Sequence, residues 1–238
     1  MLVDILVFEG CPHAGSTIAL VTEVVARLAP GTSVNRVEVD TPEKAASLGF
    51  LGSPSVRVNG EDIEQRSTGR GTLCCRIYTG EGVPPEWMIE AAVLRALKPE
   101  GILFLCVANS ARSQIAEGIA RSLAPGYVQI WSAGSRPASV RPEAIAVLRE
   151  IGIDISGHRS KSVSEIPADK IDTVITLCGE EECPIFAGKV KRLHWVLPDP
   201  SAYQGSEGDR LEAFGRTRDE LRRRIGFLFA DEHRREPK

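Results

Sequence analysis

The chain has 238 residues, of which 42% are hydrophobic and 26% charged, and its formal net charge is -3. That length holds one large domain or two ordinary ones, and the near-balanced charge gives no global pull toward nucleic acid or an anionic membrane. No apolar run approaches the roughly 18 residues of a membrane span, so the expectation is a cytoplasmic protein with neither a nucleic-acid nor a membrane partner.

In chain order, Met1-Leu-Val-Asp-Ile-Leu-Val-Phe8 lacks a basic region and carries Asp4 inside its apolar run. It reads as a first strand and not as a signal peptide. Strands are expected at Val3–Phe8, Ser33–Val39, Ser55–Val58 and Cys75–Thr79, and longer helices at Ser16–Leu28 and Glu86–Leu97, with a short helix between the second and third strands. Glu9-Gly-Cys11-Pro-His-Ala14 joins the first strand to the first helix, and Gly52-Ser53-Pro54-Ser55 leads into the third strand. The field of a helix N-terminus favours the thiolate form of a cysteine placed like Cys11. Lys98-Pro-Glu-Gly101 then breaks helix and starts a new strand, which divides the chain into domains 1–98 and 101–238.

The second half alternates strand and helix. Strands are expected at Ile102–Cys106, Val128–Ser132, Ile171–Leu177 and Arg192–Trp195, and helices at Ser113–Leu123, Pro142–Ile151 and about Asp209–Ala230. This is the pattern of an α/β domain built on a parallel sheet, whose ligands bind beyond the strand C-termini. Cys106-Val-Ala-Asn-Ser-Ala-Arg112-Ser113 falls at such a place. A thiol at a strand end, five residues and an arginine at a helix start form a loop whose backbone N–H groups turn inward around a tetrahedral oxyanion. Val107, Ala108, Asn109, Ser110, Ala111, Arg112 and Ser113 are the expected oxyanion contacts, with Arg112 adding a bidentate fork. The same field favours a nucleophilic thiolate at Cys106. The spacing by itself is common, and the strand before it and the helix after it make it specific.

Two further segments reach strand C-termini in this half. Leu197-Pro-Asp199-Pro places a carboxylic acid, rigidified by prolines on both sides, where it can protonate a leaving oxygen. Cys178-Gly-Glu-Glu-Glu-Cys183 holds two thiols that meet only if the loop folds or flexes, an arrangement suited to thiol–disulfide exchange. The six cysteines are unevenly spaced and lack the paired spacings of zinc sites, so neither a secreted disulfide framework nor a metal centre is expected. His194 reads as a packing residue, and the charged run Arg216–Arg224, interrupted by Asp219 and Glu220, as a solvated helix face.

From about Ile102 to Ala230 the chain resembles the thioredoxin-coupled arsenate reductases, which share the fold of low-molecular-weight protein tyrosine phosphatases. The resemblance is carried by Phe104 to Gly118, Ser132-Ala-Gly-Ser135, Gly152-Ile-Asp-Ile-Ser156 followed by His158-Arg-Ser-Lys-Ser162, the Cys178/Cys183 loop, and Leu197-Pro-Asp199-Pro. It implies that Cys106 attacks arsenate held by the loop, that Asp199 protonates departing water, and that Cys178 displaces arsenite to leave a Cys106–Cys178 disulfide. It further implies conversion to Cys178–Cys183, reset by thioredoxin or a low-molecular-weight thiol as co-substrate, with no tightly bound cofactor. Some relatives bind potassium through residues matching Asn109, Glu117 and Ser132, and Lys161 stands in a segment where they supply an acid. A tyrosine phosphatase would use the same loop and acid, with Trp195 and Tyr203 flanking Asp199, but has no need of Cys178 and Cys183. A non-catalytic arsenic or redox sensor would use the thiols without the acid.

The first half resembles a thioredoxin-like domain, with Cys11 at the position of the redox motif and Pro54 at that of the proline beside the reactive thiol. Ala14 replaces the second motif cysteine. Three readings stay open: Cys11 pairs with Cys75 or Cys74 and passes electrons, through contact between the domains, to Cys178–Cys183; the three thiols capture soft As(III); or the domain is a scaffold.

Overall fold

The computed structural model describes residues 1–65, 71, 73–179 and 186–230. The chain divides into two compact units, Met1–Lys98 and Pro99–Lys238. Among the described residues no helix is long and apolar enough to cross a membrane.

In the first unit the chain order is β1 (Val3–Val7), α1 (Ala14–Leu28), β2 (Val34–Glu38), α2 (Pro42–Ser47), β3 (Ser55–Val58), β4 (Glu61–Asp62) and α3 (Glu86–Leu97). The sheet order is β2-β1-β3-β4, with β1 parallel to β2 and antiparallel to β3. Helices α1 and α3 pack together. They bury Val21, Val24, Ile89 and Val93, and Ile5 and Val7 of β1 are equally enclosed. The hydroxyl of Thr41 caps α2 by accepting from Lys44 N at 3.2 Å, with Pro42 in the first turn where its missing N–H costs nothing.

One expected element is absent and an unexpected one takes its place. The expected strand Cys75–Thr79 is reduced to isolated bridges, Cys75 with Ser53 and Tyr78 with Glu81. The fourth strand is instead β4, reached by a two-residue turn in which Asn59 and Gly60 have φ of 53° and 83°. Asn-Gly is the residue pair that this left-handed hairpin turn favours. Side chains explain why 74–78 crosses the sheet end without extending it. Arg76 is buried, donating to both oxygens of Asp62, to Ser55 Oγ at 3.0 Å and to Glu64 at 2.9 Å, with its guanidinium 4.3 Å from the Tyr78 ring centroid. Tyr78 Oη donates to Pro54 O at 3.0 Å. The Ser53–Pro54 peptide is cis.

The second unit runs β5 (Gly101–Cys106), α4 (Arg112–Leu123), β6 (Gln129–Gly134), α5 (Pro142–Arg149), β7 (Thr173–Thr176), β8 (Lys191–His194) and α6 (Glu207–Phe229). Its sheet is parallel throughout, in the order β6-β5-β7-β8. Every residue of β5 is buried, as the unbroken apolar run of a central parallel strand requires. The next strand in sequence lies on one side of β5 and the one after it on the other, so the chain reverses its winding at β5. A crevice opens beyond the carboxyl end of such a strand, and Cys106 is its last residue. Helix α4 packs on β5 and β6, and α5 and α6 pack on α4. The charges of α6 are largely paired, Arg216 with Glu212 and Arg223 and Arg224 with Glu220.

Side chains of Arg76 and Asp62 are only 2% and 3% exposed. Removing one partner leaves a buried charge unmatched, so Asp62→Ala should destabilise the first unit by about 3–5 kcal/mol. Urea unfolding monitored on the full chain checks this, and a loss below about 1 kcal/mol would show that the pair is dispensable.

Candidate active site

The loop between β5 and α4 is shaped by where its carbonyls go. Val107 O accepts from Arg136 N, Ala108 O from Ala138 N and Ser110 O from Arg141 N, each at 2.9 Å. Asn109 O accepts from Ser160 Oγ at 2.6 Å and Gln114 Nε2 at 3.1 Å. In a trans peptide the N–H points opposite to its C=O. With four successive carbonyls tied to the outer segments, the N–H groups of Ala108, Asn109, Ser110 and Ala111 face the other way, toward Cys106. Asn109 has φ of 45°, a left-handed conformation that asparagine tolerates better than most residues. Helix α4 follows at Arg112 with no side-chain cap, so its first-turn N–H groups also face this cradle.

Close approach by β6 makes the loop possible. Gly134 pairs with Cys106 in the parallel register. A Cβ there would lie 2.4 Å from Val107 O and 2.8 Å from Asn109 N. Only glycine lets the loop lie against the strand.

The candidate reactive groups sit around this loop. Cys106 is 3% exposed and its Sγ lies 2.9 Å from Ser113 Oγ. Asn109 Nδ2 donates to Ser113 Oγ at 2.8 Å, and with Cys106 as a thiolate the Ser113 hydroxyl is the donor to sulfur. The Arg112 guanidinium, also buried, donates through Nη1 to Leu197 O at 3.0 Å and Leu177 O at 3.3 Å, and through Nη2 pairs with Asp199 Oδ2 at 3.3 Å. Asp199 Oδ1 accepts from Ser201 N at 3.0 Å, which caps the short turn Pro200–Ala202 and fixes the carboxylate. Leu177 N donates to Leu105 O at 2.9 Å. Cys106 and Cys178 therefore leave adjacent parallel strands, whose usual separation is about 4.8 Å, at nearly the same level. Cys178 is likewise 3% exposed. Cys183 lies outside the described residues.

Behind the loop is a buried polar chain. Asn109 Nδ2 also donates to Ser132 Oγ at 2.8 Å, and the Ser132 hydroxyl donates to Glu117 Oε2. The Glu117 carboxylate, 1% exposed, is met by Lys161 Nζ at 3.1 Å and by Arg121 at 2.6 Å. Asn109 Oδ1 accepts from Lys161 N at 2.8 Å and from Gln114 Nε2 at 3.0 Å. Asn109, Glu117 and Ser132 thus come together, as a potassium site would require. Potassium does not fit them. Both lone pairs of Asn109 Oδ1 are used, Asn109 turns its amide nitrogen to Ser132, and the carboxylate already carries two cations.

Sequence reasoning missed Gln114 and assigned no role to His158. Gln114 is fully buried and bridges Asn109 to Arg159 O at 3.0 Å, while its Oε1 meets His158 Nδ1 at 2.9 Å. Burial holds the His158 imidazole below its usual proton affinity, with Arg121 and Lys161 acting in the same sense and Glu117 against it. The neutral ring suits a hydrogen bond to an amide. His194 is exposed and pairs with Thr176 Oγ1 at 2.6 Å, so it is not the packing residue expected. Trp195 is completely buried and cannot grip a substrate ring, whereas Tyr203 is exposed.

In the first unit, Cys11 N donates to Phe8 O at 3.3 Å and Phe8 N to Ser53 Oγ at 3.3 Å. Ser53 N in turn donates to Cys74 O at 2.8 Å, and Arg76 N to Ser53 O at 2.9 Å. Ser53, next to Pro54, therefore joins the loop that carries Cys11 to the segment that carries Cys74 and Cys75. Cys11 is partly exposed, and Cys74 and Cys75 are exposed.

Forcing a methyl group into the Gly134 contact should push the loop off β6. Gly134→Ala is expected to cost about 1–3 kcal/mol of stability and to weaken inorganic phosphate binding, read as the loss of a phosphate-induced rise in Tm. Unchanged phosphate binding would show that the loop is not held by this contact.

Residues 101–237 match the family model described as low molecular weight phosphotyrosine protein phosphatase. The arsenate reductase of Bacillus subtilis (strain 168) is 39% identical over 126 residues, which cover 52% of this chain and 91% of that protein. The arsenate reductase of Bacillus licheniformis is 40% identical over the same length and the same shares. A solved structure described as an arsenate reductase in the phosphate binding state is 36% identical, aligns with 56% of this chain and 98% of its own, and gives a TM-score of 0.48. With more than half of its length matched by the family model, the chain belongs to the low molecular weight phosphotyrosine protein phosphatase family.

Proposed function

We propose that the protein reduces arsenate to arsenite by a cysteine nucleophile and an intramolecular thiol–disulfide relay. The observation that carries this reading is the Arg112 guanidinium, which at the mouth of the Cys106 loop bonds at once to the carbonyl just before Cys178 and to Asp199. One side chain, at the end of the loop that starts at Cys106, thus ties Asp199 to the residue before Cys178. The named activity of the relatives at 38–40% identity points the same way.

In this reading the loop N–H groups and Arg112 hold the arsenate oxygens. The Cys106 thiolate attacks arsenic, and Asp199 gives its proton to the departing oxygen, which leaves as water. The Cys178 thiolate then attacks Cys106 Sγ. An S–S bond forms, the S–As bond breaks, and its electron pair stays on arsenic, which departs as As(III). Cys183 next attacks Cys178, freeing the Cys106 thiolate and leaving Cys178–Cys183 for an external dithiol of thioredoxin type to reduce.

For the first unit we propose a thioredoxin-like domain spanning 1–98, joined to a reductase domain spanning 101–238. The order β2-β1-β3-β4 and the place of Cys11 between β1 and α1 support it. Cys75, bridged to Ser53, is the partner of Cys11 in the electron-passing reading.

A second reading, phosphoester hydrolysis by the same loop and acid, draws support from a cavity of about 270 Å³ beside Asp199, lined by Leu197, Pro198, Tyr203 and Ala213. It leaves Cys178 without a role.

The full chain, supplied with thioredoxin, thioredoxin reductase and NADPH, should release arsenite from arsenate over many turnovers. Cys106→Ser should abolish the reaction and Cys178→Ser should stop it after at most one adduct. Sustained turnover by Cys178→Ser would sink the relay, and robust aryl phosphate hydrolysis without arsenite formation would favour the second reading. Peptide mapping of the oxidised full chain tests the first unit: a disulfide from Cys11 to Cys75 or Cys74 is expected, and the absence of both removes that unit from the electron path.

A further inference from the structure

We propose that the Lys161 ammonium is a tethered internal cation that positions the oxyanion loop, so that the loop of this protein works without a monovalent metal ion. The inference rests on reading 106–113 as an oxyanion site, but not on which reaction follows binding.

Lys161 grips the loop from both ends. Its backbone N–H holds Asn109 Oδ1 at 2.8 Å, and its Nζ holds Glu117 Oε2 at 3.1 Å, the same oxygen that accepts from Ser132. Ser132 holds Asn109 Nδ2, and Asn109 Nδ2 holds the Ser113 hydroxyl beside Cys106. The ammonium is thus two hydrogen-bonded side chains away from the left-handed residue of the loop. A carboxylate as buried as Glu117 must be neutralised to stay charged. Arg121 lies on the other oxygen, but its side chain is 52% exposed and comes from α4 itself. Lys161 is 17% exposed and comes from the segment after α5, so it ties α4 to a separate part of the chain.

Among the described residues, polar groups around the pair also include the Arg159 carbonyl, which accepts from Lys161 Nζ at 3.3 Å, and the His158 ring, which feels Glu117, Arg121, Lys161 and Asp154. A hard monovalent ion needs free oxygen donors. Here it would place a third positive charge on one carboxylate and find the Asn109 oxygen already doubly bonded. Removing the lysine side chain lifts the first condition while the Asn109 oxygen keeps its two bonds, so the oxygens of Glu117 and Ser132 and the Arg159 carbonyl become the donors for an ion. The change leaves Glu117 short of charge on the Ser132 side and opens the space that the ammonium fills.

Thermal unfolding of the full chain, titrated with inorganic phosphate in potassium chloride and in choline chloride at equal ionic strength, tests the proposal. The wild type should bind phosphate equally well in both salts. Lys161→Ala should bind about ten-fold more weakly in choline, the order expected when the outer support of a binding group is lost, and potassium should restore it. Lys161→Arg, which keeps the charge, should stay indifferent to the salt. Wild-type binding that strengthens with potassium would overturn the proposal, and so would Lys161→Ala binding as tightly as wild type in choline. A loss in Lys161→Ala that potassium leaves unrepaired would overturn the cation role, because only packing would then remain. Should Lys161→Ala not fold, the wild-type and Lys161→Arg titrations decide. Absence of phosphate binding by the wild type in either salt would instead remove the oxyanion reading of the loop itself.

Discussion

Tied carbonyls are the constraint on which the second unit depends. An anion cradle made of backbone has no side chains of its own to hold it open, and its N–H groups would otherwise turn to any nearby oxygen. Here the peptides of residues 107–110 are oriented from behind, by the backbone of 136–141 and by the side chains of Ser160 and Gln114. Preorganised donors of this kind need no rearrangement when charge arrives. The parallel sheet supplies the place, the reversal of winding at β5 supplies the crevice, and Gly134 supplies the clearance.

Charge is handled in two separate places. On one side, Arg112 is a buried cation paired with Asp199 and bonded to the Leu177 carbonyl, and in the proposed reaction it would meet the anion. Behind the loop, Glu117 is a buried anion whose cations come from two different elements. Among the described residues, the two systems meet through Asn109 and Ser113, so the loop is a mechanical link between them. Neither system could be assembled from local sequence alone, because Lys161 and Glu117 are 44 residues apart and Arg112 and Leu197 are 85 apart.

That distance explains what could be read from the sequence and what could not. The strand–loop–helix around Cys106, the acid between two prolines and the parallel alternation all show in short windows, because each depends on neighbouring residues. Gln114 and His158 carry no local signature, since they meet each other across 44 residues of sequence. In the first unit the Asn59-Gly60 pair was a legible hairpin signal, yet β4 has only two residues and offers no periodicity to notice. Cys75–Thr79 looked like a strand because Ile77, Tyr78 and Thr79 favour extended backbone. The buried fork of Arg76 outweighs that propensity, and no pattern in the sequence announces that this arginine points inward.

The depth of the two thiols has its own consequence. Cys106 and Cys178 are each about 3% exposed, so bulky electrophiles and protein dithiols cannot dock on either sulfur. A bond between them would be insulated from the surrounding redox pool, neither reduced wastefully nor shuffled with stray thiols. In the proposed relay, the two electrons that reduce such a disulfide would arrive through another sulfur of this chain.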